Sequence, residues 1–185
     1  MTRAEVEHAI RAVCDLTDDD EVIVFGSQAI LGQFPDAPPA LRQSAEADMT
    51  PKHAIEKIDL LDAMLGEGSD FHRTHGFYVQ GVPILETAVL PAGWERRAVK
   101  VKNTNTRGHT GWCLEAHDLA ASKLVAYREK DLAFVRVLLG EGLVRAWKLR
   151  QRIQGLPTAS TDPDRTERLL AWLAKTLGEL GLANG

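Results

Sequence analysis

The chain has few cysteines, no excess of positive charge and no long apolar run. Its two cysteines, Cys14 and Cys113, stand apart without the spacing of a zinc site, so we expect small buried side chains in a reducing compartment. The formal net charge of −4 argues against a protein wrapped along its whole surface by nucleic acid. No stretch is long enough to span a bilayer, and the first residues predict an amphipathic helix. We therefore expect a cytoplasmic protein without a membrane partner.

What the chain does contain is the composition of an ordinary globular protein, with 44% hydrophobic and 26% charged residues. Short apolar runs of strand character alternate with helical periodicity over residues 1–115, and residues 116–185 are helical. This order predicts an α+β fold, in which a small mixed twisted sheet is flanked by helices and a helical C-terminal region closes the cleft. The predicted strands are 22–25, 44–49, 77–82, 87–90 and 97–101.

A Gly-Ser pair, Gly26 and Ser27, joins the first predicted strand to a short helix that begins "QAI". The Ser27 hydroxyl is expected to cap that helix. Backbone N–H groups and a hydroxyl at a helix start can also bind phosphate. A tight turn without a ligand explains the same two residues, and both explanations stay open.

Two carboxylates follow on the next predicted strand. Glu46 and Asp48 are two residues apart, so both project from the same face, while Ala47 and Met49 project from the other. Side-by-side carboxylates are what Mg²⁺ uses when it is bound jointly by protein and substrate phosphates. A strand that simply turns its polar face to water has the same pattern.

The order of these parts resembles that of the polymerase-β-type nucleotidyltransferase superfamily. In this chain, "VFGSQAI" followed by "EAD" is similar to the signature of that superfamily. Residues 118–139, "DLAASKLVAYREKDLAFVRVLL", are similar to a helix of bacterial AbiE-type (AbiEii) toxin nucleotidyltransferases. They are closest to an uncharacterised, DUF6036-like branch, which "VQGV" at 79–82 and "LPAGWERRAVKV" at 90–101 also fit. The resemblance covers residues 20–153.

The resemblance implies a function and a set of site residues. Gly26 and Ser27 would hold the triphosphate of an NTP, and Glu46 and Asp48 would hold Mg²⁺ or Mn²⁺. Lys123 would serve the triphosphate. The reaction would move an NMP to an acceptor hydroxyl on RNA, such as tRNA, or on a protein. The biology would be that of a toxin-antitoxin or phage-defence system, with a cognate antitoxin as partner.

Lys123 also stands out on the residues alone. On one continuous helix, Tyr127 and Phe134 lie within about 40° of it, so the lysine interrupts an apolar stripe and requires a partner. One reading is an ion pair with Asp131 at the rim of the core. The other is a cation that binds phosphate, oriented by Asp131 and supplemented by Arg128.

Three features depart from the superfamily pattern. The acid pair is Glu-x-Asp in place of Asp-x-Asp, and a long proline-containing loop separates Ser27 from Glu46. A third carboxylate is not obvious, since Gln80 stands where an acid is expected and Glu86 follows six residues later. An alternative is therefore a catalytically degenerate member that binds a nucleotide, RNA or a protein partner. A third is a structural module in which "FGSQ" is only a turn.

Overall fold

The computed structural model describes residues 1–158 and 162–182. The five strands are β1 Glu21–Phe25, β2 Glu46–Pro51, β3 Tyr78–Gly81, β4 Val99–Val101 and β5 Thr110–Cys113. The α-helices of the described residues are α1 Arg3–Thr17, α2 Ile30–Gln33, α3 Ile58–Leu65, α4 Asp70–His75, α5 Ile84–Thr87, α6 Ala116–Ala126, α7 Glu129–Gly140, α8 Ala146–Gln154 and α9 Arg165–Glu179.

All five strands form one mixed sheet in the order β3-β2-β1-β5-β4. The central strand β1 runs antiparallel to β2 and parallel to β5. At the edges, β3 is parallel to β2 and β4 is antiparallel to β5. The α+β fold with a small mixed sheet and a helical C-terminal part, predicted from the sequence, is confirmed.

The sheet has one apolar face. Val24 pairs with both Met49 and Cys113, and all three side chains are completely buried. Helix α1 packs against this sheet, and Gly111 makes room for it, because a Cβ there would stand 2.3 Å from Ile10 Cδ1. The strand period of two places the candidate carboxylates on the opposite face, which we call the polar face.

The strand predicted at 87–90 is wrong. Residues Ile84–Thr87 form α5, which starts after Pro83, and the Thr50 hydroxyl accepts a hydrogen bond from the Ile84 N–H at 3.2 Å. Conversely, β5 at Thr110–Cys113 is not among the strands that the sequence predicts, yet it lies beside the central strand. A strand with a glycine, and with no run of β-branched residues, gives little local signal.

The single helix predicted over 118–139 is also wrong, because the chain breaks between α6 and α7. Tyr127 has φ +54°, in the left-handed region, and Arg128 is extended at the start of α7. Left-handed backbone ends helices, but glycine is its usual carrier, so a tyrosine gives no such signal in the sequence.

Contacts divide the chain into two units. The sheet unit comprises Met1–Thr87 and Glu95–Glu115, and the helical unit comprises Ala88–Trp94 with the described residues from Ala116 onward. In the helical unit, α6 packs against α7 and α8, and α8 packs against α9. Its buried core includes Leu119, Leu124, Leu138, Leu149, Ile153, Leu169 and Leu173.

Both cysteines are buried and neither forms a disulfide, as the sequence predicted. Burial raises the pKa of the Cys14 thiol and of the Cys113 thiol to about 12. No helix within residues 1–158 and 162–182 combines the length and apolar character needed to cross a membrane.

Candidate functional site

Gly26 and Asp48 are in direct apposition at the end of β1. Phe25, the last residue of β1, pairs with Asp48 of β2, so the next residue turns beside the Asp48 side chain. A Cβ built on Gly26 would stand 1.8 Å from Asp48 Oδ2 and 2.7 Å from its Cγ. Gly26 also has φ +65°, which L side chains rarely adopt. The absence of a side chain at residue 26 therefore lets the Asp48 carboxylate lie directly against the backbone.

Ser27 does not cap a helix, contrary to the sequence prediction. Ser27–Ala29 form a 3₁₀ turn, Gly26 occupies the capping position, and no side chain caps the turn. The left-handed Gly26 starts the turn through its own carbonyl, which accepts from the Ala29 N–H at 3.3 Å. Helix α2 then adds only four residues, Ile30–Gln33, so the helix dipole contributes little at this point.

The two candidate carboxylates lie on the polar face of β2. Ala47 and Met49 are completely buried, whereas Glu46 and Asp48 are half-buried. The strand alternation predicted from the sequence is present, and it brings both carboxylates to the same side of the sheet.

Tyr78 contacts the first of these carboxylates. It lies directly opposite Glu46 in the parallel pairing of β2 with β3, and its hydroxyl donates to Glu46 Oε2 at 3.0 Å. Burial raises the pKa of Tyr78 to about 12, and the hydrogen bond to Glu46 and the charges of Glu67 and Asp48 act in the same direction. The hydroxyl therefore keeps its proton and remains a donor near neutral pH. Sequence reasoning missed Tyr78, because only the strand register reveals it.

Gln80 and Glu86, the two residues considered for a third acidic position, have different surroundings. Gln80 lies directly opposite Asp48 in the β2–β3 pairing, so an amide adjoins that carboxylate. Glu86 is exposed on α5. Among the described residues, no three His, Cys, Asp or Glu side chains come together in a way that could hold a metal ion.

These surroundings fit a divalent ion that is shared with a substrate. Glu46 and Asp48 supply carboxylate oxygens on one face, which are the donors that Mg²⁺ and Mn²⁺ prefer. Because residue 26 has no side chain, the Asp48 carboxylate reaches the backbone where the 3₁₀ turn starts. Two carboxylates do not fill an octahedral shell, so such an ion would take its remaining oxygens from substrate phosphates or water.

Gln28 is a second residue that the sequence did not single out. It follows Ser27 in the 3₁₀ turn and has 0% of its surface exposed. Neither its Oε1 nor its Nε2 has a hydrogen-bond partner within the described part of the chain. A buried amide without hydrogen-bond partners lowers the stability of the folded state, so packing alone does not explain a glutamine at this position.

A separate cluster in the helical unit contains the lysine. Lys123 Nζ lies 2.9 Å from Asp131 Oδ1, and Arg128 Nε lies 2.5 Å from Asp131 Oδ2. The Asp131 and Lys123 side chains are 1% and 10% exposed, and Lys123 Nζ stands 4.7 Å from the centre of the Phe134 ring. Burial would raise the pKa of Asp131, but the hydrogen bonds from Arg128 and Lys123 outweigh it and hold that pKa below its ordinary value.

The ion pair offered by the sequence for Lys123 is thus present, although the helix is broken. The left-handed Tyr127 turns α7 back, and this brings Asp131 to Lys123 across the break. The predicted residues are divided between the two units of the chain. The sheet unit contains Gly26, Ser27, Glu46, Asp48, Gln80 and Glu86, and the helical unit contains Lys123, Arg128 and Asp131.

Comparison with known proteins identifies the family. No curated protein and no solved structure matches the chain. The family described as "Nucleotidyltransferase of unknown function (DUF6036)" matches residues 4–163. This range contains both clusters and most of the chain. The chain therefore belongs to the DUF6036 family, described as nucleotidyltransferases of unknown function.

Proposed function

We propose that this protein is a metal-dependent nucleotidyltransferase that moves an NMP from an NTP to an acceptor hydroxyl. The observation that carries the proposal is the direct apposition of the Gly26 backbone and the Asp48 carboxylate. Phosphate and metal sites need this combination, because a phosphate must approach backbone N–H groups while a carboxylate faces the same space.

Four residues of the sheet unit would bind the metal ion and the triphosphate. Glu46 and Asp48 would hold Mg²⁺ or Mn²⁺, and the bound ion would neutralise phosphate charge. Gly26 would let the triphosphate approach the backbone, and the Ser27 hydroxyl would donate to a phosphate oxygen. The acceptor oxygen would attack the α-phosphorus while the bond to the β-phosphate oxygen breaks. Pyrophosphate would leave, and the acceptor proton would pass to solvent.

Lys123 and Arg128 are proposed as cations that serve the triphosphate. The resemblance implies this role for the lysine, and the contacts of Asp131 with both cations support it. A carboxylate that is 1% exposed and holds two cations fixes their positions before a ligand arrives.

The acceptor and the biology rest on the resemblance to AbiE-type toxins. We propose RNA, such as tRNA, or a protein as the acceptor, in a toxin-antitoxin or phage-defence system that includes a cognate antitoxin. The family description supports nucleotidyl transfer and is silent on these finer points.

A binding-only protein is the second candidate. The amide of Gln80 stands opposite Asp48, and the described residues bring no third acid to the pair. A general base for the acceptor hydroxyl would then be absent, while nucleotide and metal binding persist.

The test is transfer of α-³²P from each of the four NTPs, with Mg²⁺ or Mn²⁺, onto total RNA and onto the protein itself. Asp48→Ala is the test variant, and Asp36→Ala, at an exposed aspartate, is its matched control. Label that is lost only in Asp48→Ala supports the transferase. Metal-dependent NTP binding without label indicates the binding-only protein. Absence of both contradicts the phosphate-binding role of Gly26 and Ser27.

A further inference from the structure

The side chain and the backbone of Glu46 each make a hydrogen bond. The Tyr78 hydroxyl donates to Glu46 Oε2 at 3.0 Å, across the pairing of β2 with β3. The backbone N–H of Glu46 donates to Ser44 Oγ at 3.0 Å, where β2 begins. The hydrogen bond from Tyr78 thus gives the Glu46 carboxylate a defined orientation.

The Tyr78 ring is itself supported. The centre of the His72 ring lies 4.9 Å from the centre of the Tyr78 ring, at an interplanar angle of 54°. The His72 backbone N–H donates to Ser69 Oγ at 3.1 Å, and His72 Nδ1 accepts from the Gly68 N–H at 3.0 Å. A donor on a supported ring is preorganised, so it restricts its acceptor at little further cost in entropy.

This arrangement matters because position 46 is a glutamate. Glutamate has one more rotatable bond than aspartate, so its carboxylate loses more side-chain entropy when it is fixed on an ion. A carboxylate offers about four acceptor sites on its two oxygens, and the Tyr78 hydroxyl uses one of those on Oε2. Hydrogen bonds of this kind to ligating carboxylates orient them and commonly change metal affinity by about 10–100-fold.

We propose that Tyr78 is a positioning residue that orients the Glu46 carboxylate for a divalent ion, an inference that rests on the proposed function. Tyr78 compensates for the longer side chain of the Glu-x-Asp pair. The register that aligns Glu46 with Tyr78 also aligns Asp48 with Gln80, so the two carboxylates receive different neighbours.

The test is titration of the full chain with Mn²⁺ alone, with free Mn²⁺ measured by electron paramagnetic resonance. We expect Tyr78→Phe to weaken Mn²⁺ binding about tenfold. Tyr127→Phe, which removes the chain's other tyrosine hydroxyl, is the matched control and should leave the affinity unchanged. Thermal melting of each variant without metal separates a loss of stability from a loss of affinity.

A second route avoids dependence on one variant. In Glu46→Asp the shorter carboxylate loses its reach to the Tyr78 hydroxyl, so adding Tyr78→Phe should change Mn²⁺ affinity less than about twofold if the two residues act as a pair. An equal tenfold loss in both backgrounds would overturn the proposal.

Failure of the inference is distinguishable from failure of the proposed function. Mn²⁺ binding that is lost in Asp48→Ala but unchanged in Tyr78→Phe would support the metal site and contradict the positioning role of Tyr78. The hydrogen bond from Tyr78 would then be structural only. If the wild-type chain shows no Mn²⁺ binding that depends on Asp48, the metal site and the role of Tyr78 are both wrong.

Discussion

The α-carbon of Gly26 faces the carboxylate of Asp48 so closely that a Cβ on residue 26 would stand 1.8 Å from Oδ2. Another Asp48 rotamer would relieve the contact with Oδ2, but the same Cβ would still stand 3.1 Å from the Asp48 Cβ, so the neighbouring strand would also have to shift slightly. Residue 26 and the candidate metal ligand are therefore coupled through space, although 22 positions separate them along the chain.

Gly26→Ala should disturb both stability and the acid pair. We expect a loss of at least about 2 kcal/mol in the free energy of unfolding, from the left-handed φ together with displacement of Asp48. Urea unfolding measures this loss, and Mn²⁺ titration measures the effect on the site. Gly68→Ala is the matched control, since Gly68 has φ +78° with nothing within 4 Å of its built Cβ. Equal losses in the two variants would contradict the coupling.

Asp131→Asn should destabilise the helical unit. The substitution leaves Lys123, whose side chain is 10% exposed, with its charge uncompensated, which typically costs about 3–5 kcal/mol. Urea unfolding gives the measurement. Glu179→Gln, which removes an exposed ion pair with Arg136 in the same unit, should have a much smaller effect, because solvent screens exposed ion pairs. A similar small cost for Asp131→Asn would show that Lys123 finds another partner.

Asp131→Asn should also change how the free energy of unfolding depends on pH. The pKa of Asp131 is lower in the folded chain than its ordinary value of 3.8, so its stabilisation is complete above that value. Stability is then lost as the pH falls from the ordinary pKa through the folded pKa, because the carboxylate of the unfolded chain takes up a proton more readily than that of the folded chain. We expect the unfolding free energies of wild type and Asp131→Asn to converge below about pH 4. Urea midpoints measured from pH 7 to pH 3 test this, and a constant difference would contradict it.

Gln28→Met should stabilise the sheet unit or leave it unchanged. The Gln28 amide is 0% exposed, and both its polar atoms lack a hydrogen-bond partner in the described chain. An apolar side chain of similar volume removes that penalty, and we expect a gain of about 1–2 kcal/mol. Thermal unfolding measures it, with Gln33→Met as the control because Gln33 has an interaction partner. A clear loss of stability would indicate that an ordered water satisfies the amide.

The local features of the site were readable from the sequence. The two-residue spacing of Glu46 and Asp48 sufficed to place both on one face, because strand alternation is a property of the backbone itself. The apolar run at Val22–Phe25 and the glycine after it likewise marked the end of a buried strand. Helix α1 and the helical character of the C-terminal region followed from apolar residues at helical spacing.

Features that depend on strand register or on a single backbone angle could not be predicted from the sequence. The left-handed Tyr127 separates α6 from α7 between Lys123 and Arg128, which both contact Asp131. The strand β5 exists because β1 and β4 pair with it, and its own residues carry a weak strand signal.

The sequence by itself determined the strand-turn-strand order, the acid pair and the buried lysine, since each follows from spacing within about twenty residues. Tertiary structure alone decided that Gly26 faces Asp48, that Tyr78 donates to Glu46 and that Asp131 holds Lys123 and Arg128. These contacts depend on how strands pair and how the chain turns. Strand pairing and chain turns are fixed by burial of the apolar face of the sheet and of the helix cores. Many segments contribute to that burial, so no short segment determines it alone.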